Sequence, residues 1–370
     1  MTAEKHGGNS LSESLTDPDG ILSSLFFSSL SVFLGLASAG VLMLFLGHSP
    51  AAVYRDLFSF AFRDVYNIAD IFAKAAPLIL TGLAFAFAFR AGLFNIGAQG
   101  QFYLGAVTSA ACALSFPFLP SWLLLPLCAA ASMAAGGLWG GMTGYFKARF
   151  NANEFLVSMM STYVAVAIMD FLVRSPLREA KGEYPQTDVL AEASWIPSFL
   201  SGTRFHWGFF LALAAAGAAW VLLWKTTMGF RMRAVGKGRS AARFAGIREK
   251  SVFVSVFLVS GAFAGLAGFL EVNGVQHMVV QGFNPLLGAE GIGIAVLGGA
   301  HPLGVVLSAL LFGALKVGGL LVTQTSSVPS SIIAILEGFV MLYVILSFYL
   351  RHRLRRACAR RRAAAGGEAP

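Results

Sequence analysis

KTTMGFRMRAVGKGRSAARFAGIREK, residues 225–250, is the stretch that decides how this chain is arranged. It holds eight Lys and Arg residues against one acid, Glu249, and long apolar segments lie on either side of it, at 208–224 and 251–273. Because Lys and Arg resist translocation, such a basic loop between two membrane spans is expected to stay in the cytoplasm. The stretch therefore predicts a membrane protein and orients its spans.

The centre of this basic loop predicts a short amphipathic helix over 240–247, with small and apolar residues among basic ones. Glycines can form the turn into this helix and end it. A helix this short is not stable alone in water, so we expect it to dock on another protein surface. The alternative is a solvated charge run that only fixes topology. The candidate docking residues are Gly236, Ser240, Ala241, Ala242, Gly246 and Ile247.

The composition is typical of a membrane protein with many spans. The chain has 370 residues, of which 56% are hydrophobic and only 12% are charged, and its mean hydropathy is +0.71. The net charge of +9 is concentrated in loop 225–250 and in the run 351–362, so we expect no nucleic-acid partner.

Sequence motifs for catalysis are missing. The stretch GKGRS at 236–240 lacks the upstream glycine of a nucleotide-binding loop, and there is no H-E-x-x-H. The six His and three Cys are too scattered for a metal site. We therefore expect no catalytic residues, no metal and no cofactor, and the chain is not predicted to be an enzyme.

Hydropathy predicts an all-α polytopic membrane protein of about ten transmembrane helices. Residues 1–20 are expected to be a disordered cytoplasmic tail, 21–350 the transmembrane domain, and 351–370 a basic cytoplasmic tail. With both termini inside, nineteen Lys and Arg fall on the cytoplasmic side and seven outside, which supports this orientation. The predicted spans are 21–47, 71–89, 92–116, 122–146, 155–173, 208–224, 251–273, 288–300, 303–322 and 331–350.

Ionisable residues at membrane depth are candidates for function because they usually face a bundle interior or a cavity. Alternatively, Glu154 and Glu271 lie at interfaces, and Lys316 pairs with Glu337 as internal glue. The candidates of this kind are Glu154, Asp170, Glu271, Glu290, Lys316 and Glu337.

The segment GLFNIGAQGQ, residues 92–101, is a poor ordinary hydrophobic helix because three amide side chains alternate with three glycines. Such glycines allow close helix packing or a break in the helix, and the amides need partners away from lipid. Both a packing role and a place in a transport pathway stay open.

A short motif in this segment recurs: Gly97-Ala98-Gln99-Gly100 is similar to Gly288-Ala289-Glu290-Gly291. The two copies open the third and the eighth span, which are equivalent spans in a 5+5 inverted repeat. The eighth span is too short to cross alone, as a buried broken helix would be, although a glycine-rich chain also produces such matches by chance. The predicted pathway residues are Asn95, Gln99, Gln101, Asn284 and Glu290.

The chain resembles the permease subunits of bacterial ABC importers of the branched-chain amino acid, simple-sugar and nucleoside superfamily, and most of all the longer permease of nucleoside importers. The resemblance covers about residues 45–350. It depends on the stretches FRAGLFNIGAQGQ (89–101), KARFNANEFLVSMM (147–160), RAVGKGRSAARFAGI (233–247), GAEGIGIAVLGG (288–299) and PLGVVLSALLFGALKVGG (302–319). Lys237-Gly238 departs from the glycine–asparagine step that is usual in the family's loop.

The resemblance implies that loop 225–250 is a coupling helix that docks on an ABC ATPase subunit, whose nucleotide-binding domains are duplicated in one chain. It also implies a second, different permease subunit, a substrate-binding lipoprotein, membrane lipid around the spans, and a place in the bacterial inner membrane. The expected function is import of a nucleoside-like solute. The alternatives are an importer of simple sugars or of riboflavin and, in another class, an ion-coupled secondary transporter.

Overall fold

The structure is a computed structural model that describes residues 18–180, 182, 184–325 and 328–365, with side-chain surroundings given between 29 and 347. These residues form thirteen α-helices and no strand, apart from two isolated β-bridges, Gln186–Val280 and Ser198–His206. The helices are α1 (Pro18–Phe45), α2 (Pro50–Ala61), α3 (Val65–Arg90), α4 (Ala98–Ser115), α5 (Ser121–Phe150), α6 (Glu154–Arg174), α7 (Gly208–Lys225), α8 (Thr227–Lys237), α9 (Arg239–Phe244), α10 (Glu249–Glu271), α11 (Leu287–Leu297), α12 (Pro302–Thr325) and α13 (Ser330–Ala365). The all-α prediction is confirmed.

Seven segments in the described part of the chain are long and apolar enough to cross a membrane. Two shorter apolar helices, Ser29–Phe45 and Leu287–Leu297, accompany them. The seven segments are Val65–Arg90, Ser121–Phe150, Glu154–Arg174, Gly208–Lys225, Glu249–Gln276, Pro302–Thr325 and Ser330–Ser347.

The chain forms two compact units, of which the larger is Asp56–Val322. Helix α10 lies at the centre of this unit, packed against α3, α4 and α5. Its contacts with α5 are made by glycines: a Cβ at Gly144 would lie 2.8 Å from the Phe253 carbonyl oxygen, and one at Gly136 would lie 2.7 Å from the Gly265 Cα. Without side chains between them, the two backbones approach closely, as small residues allow in membrane helix pairs.

Helix α10 meets α4 in the same way. A Cβ at Gly105 would lie 2.5 Å from the Gly265 Cα, and one at Gly268 would lie 2.5 Å from the Ala106 nitrogen. Gly265 therefore serves two crossings at once, since a Cβ there would also overlap the Ser132 carbonyl oxygen. Helix α4 is held in a fixed position by these contacts.

The smaller unit contains α1 and α13. Gly35 faces the backbone of Val340, where an added Cβ would lie 2.6 Å from the Val340 Cα, and the Ser38 hydroxyl donates a hydrogen bond to the Tyr343 hydroxyl at 2.8 Å. The Tyr54 hydroxyl donates to the Leu36 carbonyl oxygen. Among its described residues, this unit thus combines a close helix crossing with polar contacts.

Several predicted boundaries differ from the observed ones. The segment 48–70, which lies between the first two predicted spans, is divided between α2 and the first turn and a half of α3. Of the predicted disordered tail 1–20, residues 1–17 lie outside the described part, whereas 18–20 begin α1. The backbone of α13 continues as helix through 351–365, the first part of the predicted basic tail.

The central crossing can be tested with two alanine substitutions. Gly265→Ala adds a Cβ between α10 and α5, and overpacking of this kind costs about 1–3 kcal/mol. We expect Gly265→Ala to lower the thermal stability of the purified protein and its yield as a monodisperse species. Gly217→Ala, in α7, is the control because nothing lies within 4 Å of its added Cβ. Equal stability of the two variants would contradict a central role for the crossing.

Candidate functional site

Two of the predicted pathway residues, Asn95 and Gln101, bond to each other. The Asn95 amide nitrogen donates to the Gln101 oxygen at 2.8 Å, and the Gln101 amide nitrogen donates back at 3.0 Å. Asn95 also donates to the Ser260 hydroxyl at 2.7 Å, and both amide side chains are completely buried. Amides that satisfy one another inside the protein favour a packing role for this pair, and a direct contact with substrate stays a prediction.

Gln99, in the first turn of α4, directs its side chain to the beginning of α11. Its side-chain oxygen accepts a hydrogen bond from the Gly288 nitrogen at 2.5 Å, and its amide nitrogen donates to the Asn284 carbonyl oxygen at 2.9 Å. A Cβ at Gly288 would lie 2.5 Å from the Gln99 Cα, so only glycine allows this approach. The first residues of α4 and α11 therefore meet directly.

Glu290 lies one turn into α11 and is buried. Its Oε1 forms an ion pair with the Lys316 ammonium at 2.7 Å, which links α11 to α12. Its Oε2 is also buried and has no hydrogen-bond partner within the described part of the chain. A buried carboxylate oxygen without a donor is costly, and a hydroxyl or N–H group of a bound solute could supply that donor.

Asn284 belongs to the loop before α11 and has a left-handed backbone, with φ of 43°. Its amide nitrogen donates to the buried Glu271 carboxylate at 2.6 Å, and Glu271 also accepts from Gln276 at 3.0 Å. The neighbouring Phe283 carbonyl oxygen accepts from the Tyr103 hydroxyl at 2.8 Å. The loop is thus tied to α4 and to the end of α10.

The same loop is tied to α6 by a residue that the sequence did not single out. The Gln281 amide nitrogen donates to Asp170 at 2.9 Å, and its oxygen accepts from the Arg174 guanidinium at 2.9 Å. Tyr103 was also missed. Both residues lie in ordinary surroundings in the sequence, and no spacing signal relates them to partners more than 100 positions away.

The predicted short helix in the basic stretch is present as α9, between the extended Gly238 and Gly246, which has φ of 77°. Ser240, Ala241 and Gly246 are exposed, and Ile247 is half-buried. Ala242 is only 3% exposed, so it packs within this chain and is not available to a partner. Phe244, at the end of α9, is 94% exposed.

Helix α8, in the basic segment, packs against the end of α3, beside the break before α4. A Cβ at Gly236 would lie 3.1 Å from the Ala91 Cα, next to the break between α3 and α4. The Arg90 guanidinium donates to the carbonyl oxygens of Gly299 and Ala300, at 3.1 and 2.9 Å, in the turn after α11. It also lies over the Trp224 ring, 5.2 Å from its centroid. The basic segment therefore contacts the end of α3, and Arg90 at that end bonds in turn to the residues that follow α11.

An all-α chain whose described residues include seven helices long and apolar enough to cross a membrane belongs to the class of multi-pass membrane proteins. The family model described as "Branched-chain amino acid transport system / permease component" matches residues 67–346. The chain belongs to this family. It is therefore the non-enzymatic permease subunit of an ABC transporter, a multi-pass protein of the bacterial inner membrane, and ATP hydrolysis belongs to a separate subunit.

Three relatives illustrate the range of the family. The chain is 36% identical over 333 residues to the guanosine ABC transporter permease protein NupP of Bacillus subtilis, covering 89% of this chain and 95% of the relative. It is 35% identical over 353 residues to the glucose ABC transporter permease protein TsgB13 of Haloferax volcanii, covering 92% and 91%. It is 30% identical over 339 residues to the nucleoside ABC transporter permease protein NupB of Lactococcus lactis, covering 89% and 93%. No solved structure matches the chain.

Proposed function

We propose that this permease carries a nucleoside-like solute into the cell. The observation that supports this most directly is the 36% identity to a permease named for guanosine, sustained over 89% of the chain. A second nucleoside permease is 30% identical over the same share. The buried amide and carboxylate groups around the start of α11 suit a solute with hydroxyl and N–H groups.

Import of a simple sugar is the second candidate, because the glucose permease relative is almost as similar, at 35% identity. A riboflavin-type importer has weaker support, since the relative named as a probable riboflavin permease is 23% identical. Family membership favours ATP-driven transport over ion coupling.

The proposed pathway passes Gln99, Asn284 and Glu290. All three lie near the beginning of α11, where α4 also begins. Glu290 Oε2, which has no hydrogen-bond donor among the described residues, offers an acceptor to the solute. The alternative, pure packing, fits Asn95 and Gln101 better because every polar group of that pair has a partner. The substrate path therefore involves the meeting point of the two interrupted helices.

We further propose ten membrane segments with both termini in the cytoplasm. The seven long apolar segments, together with α1, α4 and α11, make ten. A 5+5 inverted repeat is supported by the two similar motifs, 97–100 and 288–291, which each begin an interrupted helix and which contact one another through Gln99 and Gly288. Such meeting points between repeats are common solute sites in transporters.

The basic segment 225–250 is proposed to be the coupling segment that contacts the ATPase. Phe244 is a large apolar side chain left exposed on a basic cytoplasmic helix, and an apolar anchor surrounded by polar residues is typical of a docking contact. The family implies the ATPase itself, and duplicated nucleotide-binding domains within it are part of the proposal.

A second permease subunit and a substrate-binding lipoprotein complete the proposed importer. Support for a heterodimer comes from the relatives: NupP and NupQ both occur in Bacillus subtilis, and NupB and NupC both occur in Lactococcus lactis. This chain matches NupP and NupB at higher identity than NupQ and NupC.

The function is tested by uptake of labelled guanosine into cells that express the complete transporter. We expect ATP-dependent uptake, and we expect Glu290→Gln to reduce it at least tenfold because the charge that holds Lys316 and faces the pathway is lost. Asp64→Asn, at an exposed position whose side chain makes no capping bond, is the control. Uptake of glucose without guanosine would assign the sugar function instead.

The coupling contact is tested by co-purification with the ATPase subunit. Phe244→Asp should abolish co-purification and uptake while leaving the protein inserted, because it places a charge on the exposed anchor. Phe118→Asp is the control, since Phe118 is 77% exposed on the turn between α4 and α5, far along the chain from the basic segment. Equal retention of the ATPase by both variants would contradict the contact.

The topology is tested by labelling single cysteines in a background without Cys112, Cys128 and Cys358, using a thiol reagent that does not cross the membrane. A cysteine at Val189, which is 58% exposed, should react from outside the cell. One at Ser240 should react only after the cells are opened. Thr187 is unsuitable although it lies in the same loop, because it is completely buried. Reaction of the Ser240 position in intact cells would overturn the orientation.

A further inference from the structure

A cavity of about 390 Å³ lies beside the long segment between α6 and α7. Its walls come from this segment, from the turn that follows α10 and from the first residue of α5. In the proposed topology this is the outer side of the membrane, whereas the coupling segment lies on the cytoplasmic side. Its size falls within the range of about 300–1,000 Å³ that is usual for small-molecule sites.

His206 is a buried side chain in the wall of this cavity, with 1% of its surface exposed. Its Nδ1 accepts a hydrogen bond from the Gly208 nitrogen at 3.1 Å, so the hydrogen of the neutral ring is on Nε2. Burial lowers the pKa of His206 to about 4, which keeps the ring neutral at physiological pH. Nε2 has no acceptor among the described residues, so it is a donor without a partner.

Trp195 and His277 form an aromatic pair in the same wall. Their rings stack at 4.0 Å between centroids with an interplanar angle of 18°. The Trp195 ring is fixed by a hydrogen bond from its Nε1 to the Leu190 carbonyl oxygen at 2.8 Å. The residue is half-exposed. A rigid, partly open aromatic surface is suited to stacking with a planar ring.

The backbone around the cavity is unusual and is held in place. Val272–Gln276 is a π-helical turn, and His277 after it has φ of 58°. Asn273 fixes this turn, because it accepts from the Ser109 hydroxyl at 2.5 Å and donates to the Ser194 carbonyl oxygen at 2.8 Å. A Cβ at Gly274 would lie 2.6 Å from His206 Nε2, so glycine is required there. Both π-turns and left-handed non-glycine residues are frequent at functional sites.

Two opposite charges complete the lining, Glu192 and Arg204. They balance each other, which favours a neutral ligand with both donor and acceptor atoms. A metal ion does not fit: no cluster of three potential ligands occurs among the described residues, and His206 Nε2 already carries a hydrogen.

We propose that this cavity binds the nucleobase of the transported solute before it enters the pathway, with Trp195 offering the stacking surface. This proposal depends on the nucleoside function proposed above. Arg204 can donate to the carbonyl oxygen and ring nitrogen of a purine, as arginine does with guanine. Glu192 can accept from ring N–H and amino groups, and His206 adds a neutral donor. The site recognises the base, while hydroxyl groups of the sugar are left for the pathway residues.

The test is equilibrium binding of labelled guanosine to the purified transporter without its binding protein. Every variant is made in a Glu290→Gln background, which weakens the proposed pathway site. The binding that remains is then binding to the outer cavity. We expect saturable binding that guanine displaces and ribose does not. Arg204→Ala and Glu192→Gln should each weaken it at least tenfold, and Arg63→Ala, an exposed arginine outside the cavity, should leave it unchanged.

The outcomes separate this proposal from the proposed function. Guanosine uptake by the unmodified transporter, together with binding that ignores Arg204→Ala and Glu192→Gln, overturns the cavity site and leaves the function intact. Binding that ribose displaces as well as guanine also overturns it. Loss of binding in both cavity variants, with thermal stability equal to that of Arg63→Ala, supports it even if the cells import a different nucleoside.

Discussion

The close crossing of α10 with α4 and α5 is the constraint on which the larger unit depends. Lipid offers no hydrophobic force that would bring helices together, so membrane helices associate through close packing and polar contacts. Gly265 takes part in two crossings at once: its own missing side chain leaves room for the backbone of Ser132 in α5, and the missing side chain of Gly105 in α4 leaves room for the backbone of Gly265. Helix α10 can therefore lie between two neighbours, and the position of α4 follows from that.

The fixed position of α4 brings its first turn to the first turn of α11. Both helices begin after irregular backbone, and backbone of this kind is tolerated in a membrane only when it is buried in protein or lines a cavity. Here the Gln99 side-chain oxygen, in α4, accepts a hydrogen bond from the Gly288 nitrogen at the start of α11. One backbone N–H group of α11 is therefore satisfied by a side chain of α4. The Glu290–Lys316 pair then links α11 to α12. The same arrangement satisfies the backbone and gathers polar groups at one point.

Helix α8, in the basic segment, packs on the end of α3, next to this arrangement. Gly236 packs on the backbone of Arg90 and Ala91, and Arg90 bonds to the turn after α11. A displacement of α8 would thus be felt at the breaks beside both interrupted helices, through contacts and without any long chain of intermediates. If the basic segment contacts the ATPase as proposed, this short connection would couple the two sites.

The sequence by itself determined the class of fold, the seven long apolar helices, the short helix α9 and the broken character of 92–101, because hydropathy, charge and glycine positions act locally. It did not determine which amides were paired: Asn95 and Gln101 satisfy one another, whereas Gln99, between them, reaches α11. Ala242 seemed a docking residue and is buried. Tyr103, Gln281 and the His206 cavity depend on partners distant in the chain, and only tertiary packing brings those partners within hydrogen-bonding distance.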